Sequence, residues 1–184
     1  MKFGKLCAIA ILCGVIMPAR SQGQIDEGET MAAAPGGDSY RVESSVNGNE
    51  EIVQCRHYCA EKRTLLTSKS ASTPQANLTG FKNLRLSTDS STLFFETDAW
   101  AVSDAIHAVD IRTGVEHFVT DGSLACIVGT GQFQGDLVVA QHKYFVEGGS
   151  YESLFLFTPK GKQIGIVALD SSDAPRFCAP AAQL

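Results

Sequence analysis

Leu93-Phe94-Phe95 and the turn Asp110-Ile111-Arg112-Thr113-Gly114 return 44 and 47 residues later as Leu137-Val138-Val139 and Phe157-Thr158-Pro159-Lys160-Gly161. Around these anchors, residues 81–122 and roughly 125–169 share one grammar: an apolar run, a polar turn, a longer apolar run, a loop, a third run, a glycine turn and a final strand. A period of this length is that of a four-stranded propeller blade. The pattern predicts strands over 83–86, 93–97, 105–111 and 115–120, then over 125–129, 136–146, 153–157 and 163–169. Their inner members are apolar on both faces: Leu93 and Phe95 oppose Phe94, and Val109 and Ile111 oppose Ile106 and Ala108. Sheets sandwiched between neighbours lose the alternation of a half-exposed sheet in just this way.

Upstream, Tyr40–Ser44 alternates, Asn47-Gly48 is a hairpin turn, and Glu51–Cys55 and Glu61–Thr67 read as two further strands. The expected architecture is therefore all-β over residues 39–184: two tandem four-stranded antiparallel propeller-like meanders plus a shorter N-terminal meander. A propeller closes with about four to eight blades, so the ring is not closed. Either two or three sheets pack as an open stack, or the outer faces meet a second copy or a different protein; an unclosed stack also leaves sheet edges that must be covered.

The run Leu86-Ser87-Thr88-Asp89-Ser90-Ser91-Thr92-Leu93-Phe94-Phe95, with Val109-Asp110-Ile111-Arg112-Thr113-Gly114, resembles a blade of the WD40-like periplasmic propellers, including the Tol-system type. Blades of that family carry a Ser-Pro-Asp-Gly-like turn before the second strand and a Thr-Gly turn before the fourth. Here Thr88 and Ser90 stand where proline and glycine are usual, and the second repeat has Gln132-Phe133-Gln134-Gly135 instead. The resemblance covers about half the chain and implies a fold, not a reaction. The segment from Gln141 to Tyr151 is also similar to that of small exported bacterial proteins without an assigned activity.

The first residues read as an address. Lys2 and Lys5 precede an apolar stretch from Leu6 to Met17, Pro18 breaks it, and Ala19-Arg20-Ser21 places small residues where a signal peptidase reads. A dozen apolar residues are too few to span a membrane, which needs roughly 20. Residues 1–21 are thus expected to be a cleaved secretory signal and residues 22–38 a disordered linker, which puts the protein in the periplasm or outside the cell. Cleavage leaves 163 residues with 12 basic and 20 acidic side chains, a net charge of −8. That balance argues against nucleic acid or an anionic membrane surface, both of which demand clustered Lys and Arg.

Processing also leaves four cysteines, Cys55, Cys59, Cys126 and Cys178, which an oxidising compartment would join in two of three possible ways. Cys55 and Cys59 can bond only if the intervening residues turn, because four extended residues span roughly 13 Å. The favoured pairing is Cys55–Cys59 with Cys126–Cys178, the second adding about 3–4 kcal/mol by loop closure. A metal at Cys55-Arg56-His57-Tyr58-Cys59 is the minor alternative, since no second ligand pair at suitable spacing accompanies it.

Equivalent loops of tandem blades share one rim. Asp98 to Asp104 in the first repeat and Glu147 to Glu152 in the second would bring together Asp98, Trp100, Asp104, Glu147, Tyr151 and Glu152: aromatics ringed by carboxylates, the makings of a recognition patch. The bland alternative is that Trp100 folds back onto the core. No Gly-x-Ser-x-Gly elbow or phosphate-cradling glycine loop is present, and the four histidines are scattered over different strands. The expectation is a non-catalytic, cofactor-free and metal-free binding module for another exported or envelope protein, an inhibitor or immunity protein being one version. The rival is a hydrolase of a glycan or small ester using Asp98, Asp104, Glu147 and Glu152.

Overall fold

A computed structural model describes residues 30–100 and 103–178. The expected signal and residues 22–29 of the expected linker lie outside the described residues. Among the described residues, twelve strands form three antiparallel four-stranded sheets, each an up-and-down meander. The first holds β1 (Met31–Ala33), β2 (Ser39–Ser44), β3 (Glu50–Arg56) and β4 (Glu61–Thr67). The second holds β5 (Lys82–Leu86), β6 (Thr92–Trp100), β7 (Ser103–Asp110) and β8 (Glu116–Asp121). The third holds β9 (Ser123–Ile127), β10 (Leu137–Tyr144), β11 (Ser150–Phe157) and β12 (Gln163–Ala168), and a one-turn helix, α1 (Ala174–Cys178), follows.

The repeat is real. Leu93–Phe95 and Leu137–Val139 both lie in the second strand of their sheets, and Gly114 (φ +72°) and Gly161 (φ +82°) both turn the third strand into the fourth. At Gly161 only glycine fits, because a Cβ would stand 2.3 Å from the Val119 carbonyl oxygen of the neighbouring sheet. The N-terminal meander is larger than expected. Met31–Ala33, inside the supposed linker, pairs with Ser39–Arg41 and completes a fourth strand, with Ala32 packed on the core. Three residues, two of them alanine, carry too little periodicity to be read as a strand; the pairing with β2 makes them one.

Two apolar layers join the sheets. Tyr40, Ile52 and Leu65 of the first sheet meet Leu84, Leu93, Phe95 and Val109 of the second, with Phe81 set edge-on to Phe95 at 5.5 Å. Phe94, Ile106, Ala108 and Val119 on the opposite face meet Leu124, Leu137, Val139, Phe155 and Phe157 of the third. This explains the apolar residues on both faces of β6 and β7. A polar clamp adds direction to the second layer: the Asn83 side-chain amide donates to the Leu124 carbonyl (2.9 Å), while the Leu124 N–H donates to the Glu96 carboxylate. Both backbone groups of one β9 residue are thereby satisfied by side chains of the second sheet.

The sheets form an open stack, and its two ends are covered from within the chain. On the third sheet, Ala174 of α1 packs on Cys126, Val138, Leu154 and Leu156, and the Cys126–Cys178 disulfide (Cα–Cα 5.6 Å) pins the helix there. On the first, Arg41 and Lys62 converge on the Glu43 carboxylate on the strand face that carries Val53 and Cys55. A polar or tethered outer layer is what terminal units of a stacked repeat require. The other disulfide, Cys55–Cys59 (Cα–Cα 4.4 Å), closes the turn between β3 and β4, where His57, Tyr58 and Cys59 all take positive φ.

Candidate binding rim

The ends of the second and third strands of all three sheets do lie on one rim, stitched by hydrogen bonds. The Gly80 N–H donates to the Glu50 carboxylate (2.8 Å) and the Asp98 N–H to the Thr79 carbonyl (2.9 Å). Further along, the Gly122 N–H donates to the Asp104 carbonyl (2.8 Å), and the Gln141 side-chain amide donates to the Asp121 carbonyl (2.7 Å). Asn77 belongs to the same scaffold: its side-chain amide donates to Thr79 Oγ1 and to the Asp98 carbonyl, each at 2.8 Å. Both of its N–H groups are therefore occupied, and Asn77 braces this part of the rim.

The expected loop residues sit differently from their predicted places. Asp98 and Asp104 are not in a loop: they face each other across the β6–β7 ladder, and Lys82 reaches both, at 3.4 and 2.9 Å. Burial opposes the Lys82 ammonium, but the Asp104 and Asp98 carboxylates outweigh it and hold its pKa above the usual value. Of Trp100 only the backbone, opposite Ser103, is described. Tyr151 and Glu152 belong to β11, opposite Lys143 and His142, and only Glu147 occupies the turn. Glu152 accepts from the Ser171 hydroxyl (3.0 Å) and lies 3.8 Å from His142 Nδ1.

The projecting element of this rim is the β10–β11 hairpin. Tyr144, Phe145 and Val146 are 70, 56 and 105 % exposed, and Tyr151 stacks on Phe145 with centroids 4.5 Å apart. Beside it lies a cleft of about 290 Å³ lined by Ser103, Asp121, Gly122, Gln141, Lys143 and Tyr144, with His142 on its wall. Gly122 permits it: at φ +121° its backbone passes so close to β10 that a Cβ would meet the Ala140 carbonyl oxygen at 2.5 Å. Of the expected rim residues, Asp98, Asp104, Glu147, Tyr151 and Glu152 do not line the cleft. The signal that could have found it is Gln141-His142-Lys143-Tyr144, a polar run inside a strand that begins Leu-Val-Val.

Deeper in, the Glu96 carboxyl is almost fully enclosed between the second and third sheets. Burial pushes its pKa up to about 7, against the lowering effect of the hydrogen bonds from Asn83 and the Leu124 N–H. On the surface, Asp89 is held at about 2 by hydrogen bonds from the Ser87 hydroxyl and from Ser91. Cys55 and Cys59 spend their thiols on each other, which leaves that motif no thiolate for a metal.

No family model matches the chain, and no curated protein matches it. Among solved structures, a Thermus thermophilus protein described as an oxidoreductase (glucose dehydrogenase) is similar at 14 % identity and a TM-score of 0.41. That similarity covers 76 % of this chain and 46 % of the other. TolB from Acinetobacter baumannii is similar at 16 % identity and a TM-score of 0.36, over 74 % of this chain and 42 % of the other. The chain thus spans less than half the length of either. Scores this low carry no argument about function, and the meander assignment stands on the strand pairing of this chain itself.

Proposed function

We propose that the protein is an exported, non-catalytic binding module that docks another exported or envelope protein on this rim, around the hairpin tip Tyr144–Val146. The observation that carries the reading is that tip. Consecutive large apolar side chains held out in water, with Phe145 steadied by Tyr151, offer contact area at low entropic cost. The carboxylates nearby and the expected net charge of −8 select a basic partner. The signal-like residues 1–21 and the pairing of all four remaining cysteines support export. An inhibitor or immunity role is one form such a module takes.

The hydrolase reading asks for carboxylates free to exchange protons across a cleft. Asp98 and Asp104 share the Lys82 ammonium, and Glu152 is engaged by Ser171, an arrangement better suited to holding the rim in shape. The test is photo-crosslinking in the exporting host from a benzophenone side chain at position 146, with position 58 on the opposite rim as control. A discrete crosslinked species is expected from 146 alone. Equal labelling from both positions, or none from either, would overturn the docking reading.

A further inference from the structure

We infer that the cleft between the second and third sheets is a receptor for one basic side chain of the docked partner, an arginine guanidinium in first place. The inference rests on the rim being the docking surface and names what enters it. Gln141 is only 7 % exposed, yet its Oε1 has no hydrogen-bond partner among the described residues, while its Nε2 is spent on Thr120 Oγ1 (3.1 Å) and the Asp121 carbonyl. Asp121 lines the same cleft, and its Oδ1 is likewise buried without a partner among the described residues. Two orphaned acceptors, one a carboxylate oxygen, call for a donor, because a buried acceptor left unpaired costs about 1–3 kcal/mol.

Two properties of the cleft select the donor. Asp121 supplies negative charge. The two acceptors come from different sheets, so a fork of several N–H groups can reach both where a single-point donor reaches one. Lys143, the cation already on the cleft wall, is directed elsewhere: its ammonium rests 5.2 Å from the centroid of the Phe155 ring. The same fork would bridge β10 to the β8–β9 junction and so tie the hairpin tip to the body of the rim.

The experiment uses the oxidised full-length secreted chain, labelled with ¹⁵N and titrated with the peptide acetyl-Gly-Arg-Gly-amide. The probes run in parallel are the same peptide with citrulline, which keeps the shape without the charge, and with lysine. Saturable shifts of the Gln141 side-chain amide and the Gly122 N–H are expected with arginine, weaker ones with lysine and none with citrulline. Asp121→Asn, which breaks no hydrogen bond made by that side chain, should weaken arginine binding by roughly tenfold or more, the loss of one charge-assisted contact. Gln141→Met, which removes the other acceptor, should weaken it to a similar extent, read at the Gly122 N–H, and keeps the test decisive if the first variant folds poorly. Equal shifts with citrulline, wild-type titration of both variants, or no shift up to the peptide's solubility limit would each overturn the inference. If the peptide fails while the crosslink from position 146 still forms, the rim docks its partner without an arginine in the cleft. Should the crosslink be missing as well, the docking reading itself falls.

Discussion

Removing the Cys126–Cys178 bridge should cost the fold about twice what removing Cys55–Cys59 costs, and the reason is chain length. The first bridge closes a span of 52 residues and the second a span of 4. Loop-closure entropy makes these worth about 4 and about 2 kcal/mol, and the difference of about 2 kcal/mol depends only on the ratio of the spans. A domain of this size has roughly 5–15 kcal/mol of stability in all, so the larger loss is readily measured. The long bridge has a second effect. Without it α1 is free to leave the third sheet, uncovering Val138, Leu154 and Leu156. Urea unfolding of the two double Cys→Ala variants, followed by far-UV circular dichroism, should separate them in this order. Binding of a hydrophobic dye should rise for Cys126→Ala/Cys178→Ala alone. Equal losses, or a larger loss at the short bridge, would refute both the entropic argument and the role of α1 as a cover.

Two further outcomes follow from single residues. Glu96 titrates near 7 when folded and near 4.5 when free, so the folded state holds the extra proton between those values. Stability should therefore be highest at the acidic side of that window, fall as pH rises from about 4.5 to 7, and level off above, by up to about 3 kcal/mol. Glu96→Gln should flatten this slope in urea unfolding series at several pH values; a slope unchanged in the variant would show that another group sets it. Ser90 occupies the left-handed region at φ +57° in the turn before β6, where the resembling blades carry glycine. Ser90→Gly should stabilise by about 0.5–1 kcal/mol in thermal or urea unfolding, the relief of a Cβ clash less glycine's extra unfolded-state entropy; a loss of stability would show that the turn is held by more than its backbone.

Alternating and doubly apolar runs, the Gly114 and Gly161 turns and the spacing between Leu93 and Leu137 were enough to specify eleven strands and their meander order, because strand period and turn chemistry are local properties. Cysteine parity likewise announced two disulfides, and the favoured pairing among the three possible is the one found. Everything that depended on which surfaces meet was decided by assembly. Met31–Ala33 became a strand only against Tyr40, and the stack closed its own ends only once α1 was tied beneath β9 and the Arg41–Glu43–Lys62 group lay over the first sheet. Asp98 and Asp104 turned from loop acids into a lysine clamp because β6 and β7 run longer than their apolar cores. The cleft is the plainest case: Asp121 and Gln141 lie 20 residues apart on different sheets, and nothing in either one's neighbourhood announces the other. Backbone pattern is written residue by residue, whereas a site made of unpaired acceptors exists only where packing has already taken their water away.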